Sequence, residues 1–486
     1  MTGRPLAVRQ GPAPALAALA VAAVFCVAAA PAPARPAAAK GASSPAFRIP
    51  AAQRTTMKNG LQLLVLEQHA VPLVQMQLLV RSGSVSDPAG QDGVADMLAR
   101  LLKRGTPGRT AAQFVEQVEF LGGTLDAEAG LERTRVAGEF AARDFEAGLA
   151  LMAEMVQSPA LRDDEFEKER GLVLADLEAS LDEPERLASR AFDGWLFDGH
   201  PYGRPVEGTQ RSVAGMKRSD VVAFHQAHFS PGNAVLALVG DVEVRKARQA
   251  AERLFGPWKK RSAAGSRPAA PVPVRGRRVL LIDKRDATQS QIRFGNLGVR
   301  RADPDLVPLT VVNTVLGSGF TSWLVDEIRV KRGLTYSIRS SIQPRRAAGS
   351  YLVSTFSKNA TVVETIRRSI ELMGRMRSGG LGEADLDKGR NYVSGLYPLR
   401  IESPESLAAE ILDVEFYGLA PDHINRYQSD IRAVGLQAAR AAALRYVPVD
   451  DLAIVVVGPA EELRGPLEEL GPVTVRKAAS IISGEP

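Results

Sequence analysis

Cysteine is almost absent: the 486 residues hold one, Cys26, inside an apolar run from Ala15 to Ala30. Neither a disulfide framework nor a cysteine-ligated metal site can be built from it. Its predecessor, the bulky Phe25, is the wrong neighbour for lipid attachment. Histidine is scarce as well. There are five, and neither H-E-x-x-H nor H-x-x-E-H occurs, so no helix carries the histidine pair of a zinc hydrolase. No apolar run reaches the roughly 20 residues that span a bilayer.

What stands at the start reads as an export leader. Arg4 and Arg9 precede the apolar run, and small residues and prolines follow it up to Lys40. Residues 1–39 are therefore expected to be a signal peptide, cut after Ala34 or Ala39, and the protein to be periplasmic or secreted. A retained anchor is the alternative. Losing that leader removes Arg4, Arg9 and Arg35 and no acid, so the formal charge falls from +6 to +3. Such a balance gives no ground for a nucleic-acid partner. A mature chain without cysteine must be held by its core, and 45% apolar residues can supply one.

Beyond the leader the chain runs through one plan twice. Residues 61–66 and 72–81 read as strands, 111–121 as a helix closed by Gly122-Gly123, and 124–129 and 134–140 as strands. Helical stretches follow over 144–157 and 163–181, with Pro184 as a break, and 234–241 reads as a buried strand. Residues 257–275, rich in proline, alanine and basic residues, read as a linker. After it, strands at 278–283 and 289–297, helices at 304–316 and 321–331, and a strand at 451–458 repeat the order. The expected fold class is α+β, with two homologous domains over 47–256 and 276–475. Each is a largely antiparallel sheet with helices packed on it, and each half should pack as a unit. Residues 476–486 read as a disordered tail.

One stretch carries the chemistry, or its loss. Gly93 to Thr106 reads as a short helix with Val94, Met97, Leu98, Leu101 and Leu102 on its apolar face and Asp96, Ala99, Arg100 and Lys103 opposite. Asp96 and Arg100 are an i,i+4 pair of favourable order, worth about 0.3 kcal/mol if exposed. His225 and His228 read as a partly exposed helical pair, His200 as structural, and Gly317-Ser318-Gly319 as a helix-breaking turn.

Several separated blocks resemble the pitrilysin, insulysin and mitochondrial-processing-peptidase family of inverted-motif zinc peptidases. They are Gly93–Thr106, Glu169–Asp176, His200–Thr209, Phe224–Asp241 and Leu316–Ile338, and the resemblance extends over about 47–475. It implies two similar domains that together form half of a clamshell around a cavity. In that family H-x-x-E-H occupies the places held here by Asp96, Ala99 and Arg100, and a third ligand the place of Asp176. Ala99 cannot activate a water, and the fixed charge of Arg100 repels a divalent ion. The chain is therefore expected to bind no metal itself.

The second half keeps the family's arginine–tyrosine pair, Arg329 and Tyr336. The resemblance gives these two the task of reaching a peptide substrate: Arg329 toward a carbonyl or carboxylate, Tyr336 toward the developing oxyanion. The alternative is an Arg329 ion pair with Asp326 or a neighbouring acid and a core Tyr336. The leading expectation is a subunit of a heterodimeric endopeptidase for unfolded peptides, whose H-x-x-E-H partner holds the zinc. A non-catalytic structural or peptide-binding protein is the alternative, and an autonomous peptidase with a rebuilt metal site is a third reading.

Overall fold

A computed structural model of the chain describes residues 48–261 and 268–484. The expected export leader, Cys26 and the middle of the expected linker lie outside them. Among the described residues no helix is long and apolar enough to cross a membrane.

Each half builds a six-stranded mixed sheet. The first contains β1 (Gln53–Thr56), β2 (Gln62–Glu67), β3 (Leu73–Val80), β4 (Thr124–Ala129), β5 (Thr134–Ala141) and β6 (Ala234–Gly240), in the order β1-β2-β6-β3-β5-β4. The second contains β7 (Arg277–Asp283), β8 (Gln289–Gly298), β9 (Ile338–Gln343), β10 (Gly349–Lys358), β11 (Leu452–Gly458) and β12 (Val473–Lys477), in the order β12-β7-β11-β8-β10-β9. Most neighbours are antiparallel. The late strand of each half enters parallel to the early one, β6 beside β2 and β11 beside β7.

The central strands β6 and β11 are buried along their whole length. Alternation along a strand divides their side chains between two faces. Ala234, Leu236 and Leu238 enter one core with the first half's own helices, while Val235, Ala237 and Val239 enter another. That other core is closed by Leu407, Ala408, Ile411 and Leu412 of helix Pro404–Tyr417, which belongs to the second half. The exchange is reciprocal. Leu187, Ala188, Ala191 and Phe192 of helix Pro184–Leu196 pack on Ala453, Val455 and Val457 of β11. The expectation that each half packs as a unit is therefore corrected: a sheet apolar on both faces needs a second cover, and each half takes it from the other. Polar contacts fasten the exchange, with Trp195 Nε1 donating to the Arg278 carbonyl at 3.2 Å and Arg293 meeting Glu185 at 3.2 Å.

The expected tail is also corrected. Residues 473–477 pair with β7, and Ala478–Ser483 forms a helix whose Ile482 is fully buried under the Pro184–Leu196 helix. Arg190 Nε donates to the Ile481 carbonyl at 3.1 Å. His225 and His228 are not partly exposed: both are buried, and His225 Nε2 lies 2.8 Å from the Val156 carbonyl. Both ends of the expected linker are anchored, by buried Trp258 and Val274.

Candidate functional site

The first candidate position is the helix Val94–Leu102. Gly93 precedes it at φ 98°, a conformation that disfavours any residue with a Cβ. Asp87 accepts the amides of Gly93 at 2.8 Å and Ala95 at 3.0 Å, satisfying donors that a helix start leaves open. Burial pushes the Asp87 carboxyl up to about 7, against the pull of those amides and of Arg204.

Arg100 Nε donates to Asp96 Oδ2 at 2.7 Å. Burial raises the Asp96 carboxyl above its ordinary range although Arg100 pulls it down. Burial works against the Arg100 charge, yet Asp96, Glu169 and Asp176 hold its pKa above the usual value. Ala99 does not share the open polar face: it is 1% exposed and belongs to the core.

Facing this helix is Asp163–Ala179. Its Glu169 is 2% exposed and accepts from Arg104 Nε at 2.6 Å. Asp176 is turned to Arg186, whose two terminal nitrogens donate to its carboxylate at 2.8 and 3.2 Å. That bond holds the Asp176 carboxyl below its ordinary range. A zinc of this class needs three converging donors and an open water position. Here stand a carboxylate closed by a guanidinium, a buried methyl group and a second carboxylate closed by another guanidinium. Among the described residues no three histidine, cysteine, aspartate or glutamate side chains converge on a common point. These residues do not fit a zinc ion.

The second candidate position is in the other half. The helix Leu306–Asn313 widens into a π-helical turn over Thr314–Ser318, and after the Gly319 break a second π-helical stretch runs over Val325–Lys331. Such wide turns concentrate at functional places. Arg329 sits on the second one. Its guanidinium lies 4.7 Å from the centroid of the Tyr336 ring, and Tyr336 is 74% exposed. The stacking contributes roughly 0.5–1 kcal/mol at an open site. The neighbouring acids are committed elsewhere, Asp326 to Lys331 at 2.7 Å and Glu327 to Arg332 at 2.8 Å. Among the described residues Arg329 has no carboxylate partner, and the tyrosine it stacks on is open to solvent. Phe320 and Val330 beside them are exposed too.

Arg329 also lines a cavity of about 870 Å³. Its walls come from the two π-helical stretches, from Leu372 and Arg375 of helix Val362–Arg375, and from Asp385, Lys388, Gly389 and Tyr392 of helix Glu383–Arg400. The sequence reading missed this cavity and its Trp323, because nothing in the primary order pairs residue 323 with residue 375. No contact among the described residues joins Arg329 or Tyr336 to Asp96, Arg100 or Asp176. The structure brings together each pair, not the two pairs.

A duplicated sheet-and-helix fold with a motif helix whose polar face is closed by an Asp96–Arg100 ion pair, and an arginine–tyrosine pair in its second half, defines a metallopeptidase-type scaffold. The chain belongs to peptidase family M16: residues 63–210 match the family profile described as Insulinase (Peptidase family M16), and residues 215–393 match Peptidase M16 inactive domain. It is 29% identical over 369 residues to an uncharacterized zinc protease of Mycobacterium leprae, covering 75% of this chain and 82% of that one. Zinc protease PqqE of Helicobacter pylori is 24% identical over 374 residues, with 75% and 83% covered. Among solved structures, the peptidase M16 inactive domain from Pseudomonas fluorescens superposes with a TM-score of 0.80 at 24% identity, over 84% of this chain and 98% of that chain. A protease from Helicobacter pylori gives the same TM-score at 22% identity, over 85% and 100%.

Proposed function

We propose that this chain is the non-zinc-binding subunit of an exported metalloendopeptidase, paired with a homologous partner that carries H-x-x-E-H and the zinc. The observation that carries the reading is the contrast between committed and uncommitted groups. Asp96, Arg100 and Asp176 are spent on ion pairs, while Arg329 is stacked on an exposed tyrosine with no acid of its own. A guanidinium with open donors grips a peptide carbonyl or carboxylate with two parallel hydrogen bonds. The Tyr336 hydroxyl, fixed beside it, donates to the oxygen that becomes negative as the scissile carbonyl is attacked. The substrate is an unfolded peptide, and the leader at 1–39 sends the chain to the periplasm or beyond.

The test is reconstitution: purify the chain without its leader, add the H-x-x-E-H homologue and follow cleavage of a fluorogenic peptide. Activity should require both chains, and metal analysis should find zinc in the homologue. Full cleavage by the homologue alone, or an Arg329→Ala subunit that supports cleavage as well as the wild type, would sink the reading. No cleavage with any homologue, together with peptide binding by this chain, would assign it the alternative role of a non-catalytic peptide-binding protein.

A further inference from the structure

The cavity beside Arg329 has a composition that asks for a particular ligand. One wall is aromatic and aliphatic, with Trp323, Val325, Leu372 and Tyr392. The rim is cationic. Arg375 lies 4.5 Å from the centroid of the Trp323 ring, and Arg329 repeats that stacking on Tyr336 at 4.7 Å. Arg375 and Lys388 have no ion pair among the described residues, as Arg329 has none. The acids of the rim are Asp326 and Glu327, both taken by Lys331 and Arg332, and Asp385, which has no ion pair among the described residues. Three open cations thus stand against one open carboxylate around an apolar floor. At about 870 Å³ the space holds a large side chain together with its backbone.

The geometry points to a subsite for the C-terminal residue of a peptide, with an aromatic or large aliphatic side chain against Trp323 and Tyr392 and the free α-carboxylate on Arg375 and Lys388. An internal acidic residue does not meet the same demand. Adjacent side chains of an extended peptide point to opposite sides, so an aromatic group and a neighbouring acid cannot enter one cavity together. A terminal residue carries both on one Cα. This inference deepens the peptide-binding role proposed above and rests on it for its biological meaning, but the binding itself requires neither partner nor zinc.

The experiment uses the full chain alone, with acetyl-Ala-Ala-Phe as the free acid, its C-terminal amide, and acetyl-Ala-Ala-Ala as the free acid, measured by calorimetry and tryptophan fluorescence. The phenylalanyl acid should bind about tenfold more tightly than either control, the scale of one charge-assisted contact. Arg375→Gln, at an exposed position, should erase the difference between acid and amide. Trp323→Ala should erase the preference for phenylalanine and the fluorescence change. Equal binding of acid and amide to the wild type, or an undiminished acid preference in Arg375→Gln with Lys388→Gln, overturns the assignment. If the acid binds as stated while reconstitution fails, the subunit proposal falls and the subsite stands. If reconstitution succeeds and acid and amide bind alike, the subsite falls and the subunit proposal stands.

Discussion

In both halves a helix follows the sheet's paired strands and faces a longer helix that leads into the exchanged one. In the first half these are Val94–Leu102 and Asp163–Ala179. In the second they are Leu306–Asn313 with its wide turn and Glu383–Arg400. The space between them has had opposite fates. In the first half it is closed by charge: Asp96 on Arg100, Glu169 on Arg104, Asp176 on Arg186. In the second it opens into the cavity that Arg329, Trp323 and Tyr392 line. The two halves share the frame and differ in what fills the space between its helices. The first-half space is a cluster of polar groups held close together. Opposite charges satisfy it more cheaply than vacancy would, because buried polar groups without partners destabilise the fold.

The closed side is where the largest loss of stability is expected. Glu169 is buried and relies on Arg104, so Arg104→Ala leaves a buried carboxylate without its hydrogen-bond partner. The cost should be about 3 kcal/mol in urea unfolding. Replacing both, Arg104→Leu with Glu169→Leu, should restore most of it, because a matched apolar pair carries no stranded charge. If the single and double variants unfold alike, the pair does not close that space in the way described.

The open side should lose activity instead. Tyr336→Phe keeps the ring under the Arg329 guanidinium and deletes only the hydroxyl. In the reconstituted complex kcat should fall about 100-fold, equivalent to about 2.7 kcal/mol, with the melting temperature unchanged. The corresponding experiment on the closed side is Asp96→Asn, which should lower stability and leave kcat alone. An unchanged kcat in Tyr336→Phe would remove the distinction between the two regions.

Much of this contrast was legible beforehand and some was not. The i,i+4 pairing of Asp96 with Arg100 follows from helical spacing, and the structure has it at 2.7 Å. The doubling of the plan was visible because β6 and β11 are unbroken apolar runs near the end of each half. Such runs say that both faces are buried but not by what, so the helix exchange was invisible. Leu407 and Leu187 look like the apolar face of any amphipathic helix. Residues 476–486 read as a tail because Ile481 and Ile482 are too short an apolar pattern to register. Their partners, β7 and Arg190, are far away in sequence. Asp87 lies in a Ser-Asp-Pro turn sequence, where a solvated aspartate is the ordinary reading. Only the fold places it under a helix start.

A smaller structural effect separates the helix pairs themselves. A Cβ on Gly389 would come within 2.9 Å of Val311 Cγ1, 3.0 Å of Val315 Cγ2 and 3.1 Å of the Val311 carbonyl. One of those atoms is backbone, so Gly389→Ala must push the Glu383–Arg400 helix away from its neighbour. The cost should be roughly 1–2 kcal/mol, with weaker binding of the phenylalanyl acid as the cavity wall shifts. Stabilisation by the added methyl group, as a helical glycine in open space would give, would show that the two helices are not in close contact there.

The last effect is a pH dependence and concerns the start of the first-half helix. The Asp87 carboxyl is pushed up to about 7 in the folded protein by burial, from an ordinary value near 4. Between those two values the folded chain keeps a proton that the unfolded chain has lost. This group's contribution to stability is therefore fully present below about pH 4 and is lost as pH rises through about 7. Asp87→Asn removes the titration while its amide oxygen still accepts from Gly93 or Ala95. Relative to the wild type, the variant should look worst at pH 4 and below and should recover as pH rises to 8, read from urea midpoints at each pH. Parallel midpoint profiles for the two proteins would mean that Asp87 is charged in the fold throughout. The two helix-start amides and Arg204 would then outweigh its desolvation, and the first-half helix would be anchored by one more closed charge, as the rest of that region is.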